Sequence, residues 1–298
     1  MTTSGPNDLA AFRRALRASS SQLARDLPWI GASDPWAILV SEVMLQQTQA
    51  ARVVEPWRRF LHALPTVRSC AAAPRSTVLG LWRSLGYNRR AGNLHDAARV
   101  IVRDHDGRVP AQPATLRTLP GVGSYTANAV ASFAFGVPVG VLDTNVGRIL
   151  ARAIENRRLT RGEAQQLANE LASRRHSATH NQAMLDLGSQ FCVAAPRCED
   201  CPVVRRCRWR RDGGADPAPQ SAAVSVRQKP FEGSDRQLRG RIVDALRDGP
   251  QRRDGLRHIC GTERERLARL LDDLVGEGLV DVTSALVRLA GDTRSLAG

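Results

Sequence analysis

Two carboxylates in this chain stand in settings that would pull their protonation apart. Glu42 lies in an apolar stretch beside Val40, Val43, Met44 and Leu45. Such surroundings disfavour the charged form and would keep a proton on the side chain. Asp143 precedes Thr144-Asn145-Val146, where a helical pattern begins. The positive end of a helix favours the ionised form there. An acid and an anion set apart in this way suit cleavage of a bond whose leaving group takes a proton and whose remaining fragment becomes cationic. Read locally, each residue also admits a plainer role, a solvated glutamate and an aspartate N-cap.

Two further constellations carry chemistry. In Leu119-Pro120-Gly121-Val122-Gly123-Ser124-Tyr125, two glycines one residue apart open an Ala-rich apolar run. This predicts a tight hairpin leading into a helix, whose free N–H groups attract phosphate. Without Cβ atoms, Gly121 and Gly123 let another backbone approach closely. Cys192, Cys198, Cys201 and Cys207 follow C-x5-C-x2-C-x5-C within sixteen residues. Four thiolates so close can ligate one tetrahedral zinc or one iron–sulfur cluster. A single C-x2-C hook with wide loops on both sides favours a [4Fe–4S] cluster over zinc. Arg197, Arg205, Arg206, Arg208 and Arg210 surround these cysteines. Cys70 and Cys260 stand alone and are expected to be inert.

The chain of 298 residues carries 43 Lys and Arg against 29 Asp and Glu, a net charge of +14. That balance suits a polyanionic partner. Lys229 is the only lysine, which leaves residues 1–228 without an amine side chain. There is no run of eighteen apolar residues, so no membrane span or membrane partner is expected. The polar, amphipathic start predicts a cytoplasmic protein in a reducing compartment where clustered cysteines bind metal.

Helical periodicity predicts elements near 8–25, 36–49, 52–63, 75–83, 90–104, 113–118, 124–135, 143–153, 161–173 and 180–190. Ser33-Asp34-Pro35 reads as a cap with proline at the first helical position. Residues 1–210 therefore form a mainly α domain. Residues 211–234, with Gly213-Gly214 and Pro217-Ala218-Pro219, read as a linker. Residues 235–291 predict helices near 236–247 and 263–276 before a β-like run at 279–289, a small winged-helix-like α+β module.

Taken together, the hairpin, Asp143 and the cysteine loop resemble the helix-hairpin-helix DNA glycosylases over residues 1–210. Ser41-Glu42-Val43-Met44-Leu45-Gln46-Gln47-Thr48-Gln49 is similar to the signature of the A/G-specific adenine glycosylases. So are Leu85-Gly86-Tyr87-Asn88-Arg89-Arg90-Ala91 with Asn93-Leu94-His95, and Leu142-Asp143-Thr144-Asn145-Val146. The resemblance implies a two-lobed domain that acts as a monomer on double-stranded DNA carrying a mismatch or lesion. It implies hydrolytic removal of adenine paired with 8-oxoguanine or guanine. Glu42 would be the general acid toward adenine N7, and Asp143 would stabilise the sugar cation. Tyr125 stands where bifunctional relatives carry a Schiff-base lysine, and with no lysine in residues 1–228 no efficient strand cleavage is expected. Tyr125 would bond Asp143 or face the sugar, and Asn145 would orient Asp143 or the water. Gln47 and Tyr87 would enter the gap left by the flipped base, with Leu85 acting on the opposite strand. Thr48 would touch the orphan guanine, and Trp29 with Arg25 would line or underlie the adenine pocket. The amides of Gly121, Gly123 and Tyr125 would grip phosphate, and the four cysteines would hold a [4Fe–4S] cluster.

The chain departs from that family in three places. Its first cysteine spacing is x5 where x6 is usual, Thr144 replaces a frequent glycine, and the C-terminal unit is short for a lesion reader. A T:G or U:G mismatch glycosylase is the neighbouring enzymatic reading, against which Gln46-Gln47-Thr48 argues. A non-catalytic DNA-binding module is the reading from another class, against which Glu42, Tyr125 and Asp143 argue.

Overall fold

Asp34 and Pro35 start a helix as their residue types predict. In the computed structural model the helix Pro35–Leu45 begins at the proline, whose missing N–H costs nothing at that position. The Asp34 carboxylate accepts from the Trp36 N–H at 3.0 Å. Residues 5–221, 230–284 and 286–294 are described. They fall into two compact units, Met1–Ile38 with Ala111–Thr115 and Gly123–Arg227, and Leu39–Pro110 with Leu116–Val122 and Gln228–Gly298.

Among its described residues the first unit is built of helices and contains no strand. Its helices include Pro6–Ala18, Ser124–Phe135, Thr144–Ile149, Arg161–Leu171 and Ser177–Gln190. They share a core in which Phe12, Leu16, Ile149, Leu150, Leu171 and Met184 are buried. Each such side chain contributes roughly 1.5–3 kcal/mol by leaving water. The helix expected at 8–25 is instead broken at Ser19, with Ser20–Leu23 as a separate turn. The Ser19 and Ser20 hydroxyls donate to the carbonyls of Ala15 and Arg17 and so compete with the helical ladder. The helix expected through about residue 153 widens at Leu150–Glu155 into π turns that carry the wholly buried Arg152. Arg152 forks onto Asp216 at 2.6 and 2.8 Å. The partly buried Asp216 lies in the stretch read as a linker, where Ala218 and Ser221 are buried. Residues 222–229 of that stretch, Lys229 among them, lie outside the described residues.

The second unit joins Ala50–Ala63, Val67–Ala72, Arg75–Leu81 and Arg89–Asp104 to the C-terminal segment. Phe60 meets Trp82 edge-on, with ring centres 6.3 Å apart, inside this unit. The C-terminal segment forms Asp235–Asp248, Arg253–Cys260 and Arg264–Gly276. An antiparallel pair follows, Val280–Val282 with Val287–Leu289, in the register Val280 to Leu289. Three helices and a hairpin give a small α+β module; the helix Arg253–Cys260 adds to the two expected near 236–247 and 263–276. Arg247 fastens it to the rest of the unit, donating to the Leu79 carbonyl at 3.0 Å and the Asn88 amide oxygen at 2.9 Å. Among the described residues no helix is long and apolar enough to cross a membrane.

Candidate active site

Asp143 caps the helix Thr144–Ile149, and its neighbours in sequence fix its carboxylate. Oδ1 accepts from the Val146 N–H at 2.8 Å and Oδ2 from the Asn145 amide at 2.7 Å. The Asn145 amide oxygen accepts in turn from Arg148 at 2.6 Å. Arg148 reaches on to the Gly188 carbonyl at 3.0 Å and the Cys192 carbonyl at 2.6 Å. The helix Ser177–Gln190 presses on this chain at Gly188, where an added Cβ would lie 2.6 Å from that of Asn145. Only glycine lets the two backbones come so near.

Burial pushes the Asp143 carboxyl above its usual value, against the opposing pull of the Val146 and Asn145 hydrogen bonds and the Arg148 charge. The helix end alone predicted an ionised group. Desolvation reverses the direction, because two donors and a nearby guanidinium replace water incompletely. Tyr125, on Ser124–Phe135, packs partly buried against the core of the same unit. Trp29 is buried and Arg25 pairs with the buried Asp186 at 2.6 Å, so both are packed features of the first unit.

Glu42 belongs to the second unit, where it is buried on Pro35–Leu45 between Ser41 and Val43. The turns that follow it hold three residues with positive φ that are not glycine: Gln47 at 57°, Ser84 at 75° and Tyr87 at 47°. Such backbone is strained and persists only where its surroundings fix it. Arg90 supplies the fixing. Its buried guanidinium donates to the carbonyls of Val43, Met44 and Gln46 at 2.6–3.1 Å and to those of Leu85 and Gly86 at 3.1 Å. It also donates to the Thr48 hydroxyl at 3.1 Å, so Thr48 serves the turn as well. Burial pushes Arg90 down to about 10, which still leaves it charged at neutral pH. In the sequence Arg90 stands out only as part of a motif, and its six acceptors leave no local signal.

The remaining predicted DNA contacts differ among themselves. Gln47 is exposed. Leu85 is buried at 3 % exposure and does not offer its side chain to a partner in this state. Tyr87, expected to enter the gap left by the flipped base, is half-buried between Arg90 and Arg236, and its hydroxyl accepts from Arg236 at 2.6 Å. The arginines satisfy a ring that the polar turn alone would have left in water. Gly121 has φ of +73° and sits where a Cβ would strike that of Asn93 at 2.6 Å, so both backbone and space demand glycine. Gly123 caps Ser124–Phe135 with no side chain, and a Cβ there would meet open space.

Cys192, Cys198, Cys201 and Cys207 line one cavity of the first unit together with Phe191, Val203 and Trp209. Arg152 points Nη1 at the Cys192 sulfur, 3.6 Å away. Burial raises the thiols of Cys192, Cys201 and Cys207, Cys201 to about 11. Binding a metal would therefore release protons. Among the described residues no three His, Cys, Asp or Glu side chains form a group able to hold a metal ion. The residues present fit a multi-atom cluster in one respect, a shared cavity walled by four thiols with a guanidinium beside it. Cys70 is buried and pushed to about 12, which makes it unreactive.

A glycine hairpin before a helix, a helix-capping aspartate and a four-cysteine loop on a helical chain together define a helix-hairpin-helix DNA glycosylase. Comparison with known proteins agrees. The family model of the HhH-GPD superfamily base excision DNA repair proteins matches residues 40–174. The adenine DNA glycosylase of Mycobacterium tuberculosis (strain H37Rv) is 43% identical over 270 residues, covering 87% of this chain and 86% of its own. Among solved structures, a thermostable thymine-DNA glycosylase aligns with TM-score 0.63 at 27% identity, covering 69% of this chain and 98% of its own. A trapped endonuclease III–DNA covalent intermediate aligns with TM-score 0.58 at 25% identity, covering 71% and 99%. The chain belongs to the adenine DNA glycosylase family of the HhH-GPD superfamily, and is a DNA N-glycosylase of base excision repair.

Proposed function

We propose that the enzyme hydrolyses the N-glycosidic bond of adenine mispaired with 8-oxoguanine or guanine. The observation that carries this reading is the fixed Asp143 carboxylate at a helix start, oriented by Val146 and Asn145. Glu42 gives a proton to N7 of the departing purine. Asp143, once ionised, stabilises the oxocarbenium-like sugar, and water adds at C1′. Asn145 orients Asp143, and Tyr125 stands beside the sugar. Gln47 and Tyr87 fill the gap that the extruded adenine leaves. The hairpin amides at Gly121, Gly123 and Tyr125 take phosphate, and the open space at Gly123 leaves room for a strand.

Cys192, Cys198, Cys201 and Cys207 would hold a [4Fe–4S] cluster, which supplies a covalent staple across their loop. Purified protein is expected to contain iron and acid-labile sulfide; zinc without iron would overturn this assignment. The protein acts in the cytoplasm as a monomer. Because residues 1–228 hold no lysine, the enzyme leaves the abasic strand intact. Strand nicking is expected only after alkali, and equal nicking with and without it would overturn that view.

Duplexes carrying A:8-oxoguanine, A:G, T:G and U:G test the substrate. Excision of adenine in the first two is expected. The likeness to a thymine-DNA glycosylase gives the second reading its one support, and preferential loss of thymine from T:G would establish it.

A further inference from the structure

The second unit contains a cavity of about 1000 Å³, walled on one side by the turn that carries Tyr87 and on the other by Asp235–Asp248. Seven of its lining residues are arginines, against the two carboxylates of Asp244 and Glu277. Most of those arginines are occupied. Arg52 donates to the Ser84 carbonyl at 2.6 Å, Arg239 pairs with Glu277, Arg236 holds the Tyr87 hydroxyl, and Arg90 and Arg247 bind carbonyls. Arg89 and Arg241 differ. Both are exposed, and neither has a hydrogen-bond or ion-pair partner among the described residues. Their charge is left over after the fold has used the rest.

Aromatic surface stands among these charges. Phe231 lines the cavity at 53 % exposure, with the Arg236 guanidinium 4.9 Å above its ring, and the Tyr87 ring lies 5.4 Å from the same guanidinium. Positive charge interleaved with aromatic faces is how proteins grip an unstacked nucleic-acid strand. An acidic peptide would match the charge but would leave the two rings without a use.

We propose that this cavity is a binding site for the DNA backbone, with Arg89 and Arg241 as its phosphate ligands and Phe231 as a stacking face. It rests on the reading of the chain as a DNA glycosylase, and it gives the C-terminal module a direct part in holding substrate. Arg241 comes from that module and Arg89 from the motif segment, so the site exists only where the two are packed together.

Gly240 allows a test that leaves the fold alone. It lines the cavity from within Asp235–Asp248, and an added Cβ there meets nothing within 4 Å. Replacing a mid-helix glycine by glutamate or glutamine also favours the helix. Binding of a labelled A:G duplex is read by fluorescence anisotropy over a salt series. Gly240→Glu is expected to weaken binding about tenfold, and Gly240→Gln less, because only the first sets a carboxylate against the phosphate. Arg241→Ala and Arg89→Ala are each expected to lower the salt slope by about one. Arg264→Ala, exposed on the same module but outside the cavity, serves as the comparison. Wild-type affinity and slope in Gly240→Glu would overturn the site. So would an equal loss of slope in Arg264→Ala, which would mean diffuse charge, or tighter binding of poly-glutamate than of the duplex. Adenine release by the wild type is followed in parallel. If the wild type excises and the cavity variants bind as it does, only the cavity falls. If it neither excises nor binds, the glycosylase reading falls too.

Discussion

The two units anchor their functional residues in opposite ways. Around Asp143 the donors come from residues 145, 146 and 148, all within five positions of the aspartate. Around Gln47 and Tyr87 one guanidinium gathers carbonyls from two segments, Val43–Gln46 and Leu85, that lie far apart in the chain. The first arrangement is what a helix N-terminus does wherever a capping aspartate begins it. The second exists only once the chain has folded. Local wiring leaves its mark on the sequence as spacing, and non-local wiring leaves a single arginine with nothing near it to explain its charge.

The sharpest way to break this comparison is Asp143→Asn. Asparagine can still cap the helix, but it carries no charge for the sugar cation. Excision is expected to fall on the order of 10³-fold or more, which is about 4 kcal/mol of transition-state stabilisation, while duplex binding persists. Loss of binding along with excision would show that Asp143 matters chiefly as structure. The wild-type pH profile belongs to the same test. Burial raises the Asp143 carboxyl, so the active anion is lost as pH falls through that elevated value. The acid limb of single-turnover excision is expected above the ordinary carboxylate range and should disappear in the variant's residual rate.

Arg90→Met probes the other unit. It removes the donor for five carbonyls and the Thr48 hydroxyl in a buried place. Leaving such acceptors unsatisfied costs about 1–3 kcal/mol each before the turns relax, and we expect a net loss of about 3 kcal/mol in urea unfolding. With the strained φ values at Gln47 and Tyr87 unsupported, excision should fall as well. A variant as stable as the wild type would mean that water or neighbouring donors replace the guanidinium.

These two residues mark how far the sequence could be read. The helix over Pro35–Leu45, the cap at Asp143 and the C-terminal helices Asp235–Asp248 and Arg264–Gly276 follow from apolar period and residue type, which act over one or two turns. The break at Ser19 was missed because a serine can cap, turn or continue a helix, and its hydroxyl chose Ala15. The buried state of Leu85 was missed because the motif gives its identity and not its environment. The clamp on Tyr87 was missed because Arg236 lies 149 positions away. The contact of Asp216 with Arg152 hid inside a Gly- and Pro-rich stretch whose composition reads as linker whether or not one carboxylate in it finds a buried guanidinium.

Gly188→Ala tests whether the local wiring around Asp143 depends on one distant contact. The new Cβ would overlap Asn145, whose amide orients the carboxylate. A displacement on the order of 1 Å at a catalytic group costs roughly 10²-fold, so we expect that loss in excision with a smaller change in duplex affinity. Activity near wild type would show that Val146 alone suffices to hold Asp143.

The smallest effects sharpen the comparison further, because each unit carries a capping box of the same design with different chemistry. In the second unit Thr66 and Ser69 exchange hydrogen bonds at the start of Val67–Ala72. In the first, Thr160 and Glu163 do so at the start of Arg161–Leu171. Thr66→Ala should cost about 1 kcal/mol, and equally at pH 7 and at about pH 3.5, since neither partner titrates. Thr160→Ala should behave otherwise. The hydrogen bond from Thr160, with a second from its backbone and the pairing with Arg157, holds Glu163 down to about 2 from an ordinary 4.5. A depressed carboxyl contributes stability above its unfolded value and loses it as pH falls toward the folded one. The difference between Thr160→Ala and wild type in urea unfolding should therefore be larger at pH 7 than at about pH 3.5. If the two boxes respond to acid alike, the exposed Glu163 is screened by solvent and its box is no more than the hydroxyl cap that Thr66 makes.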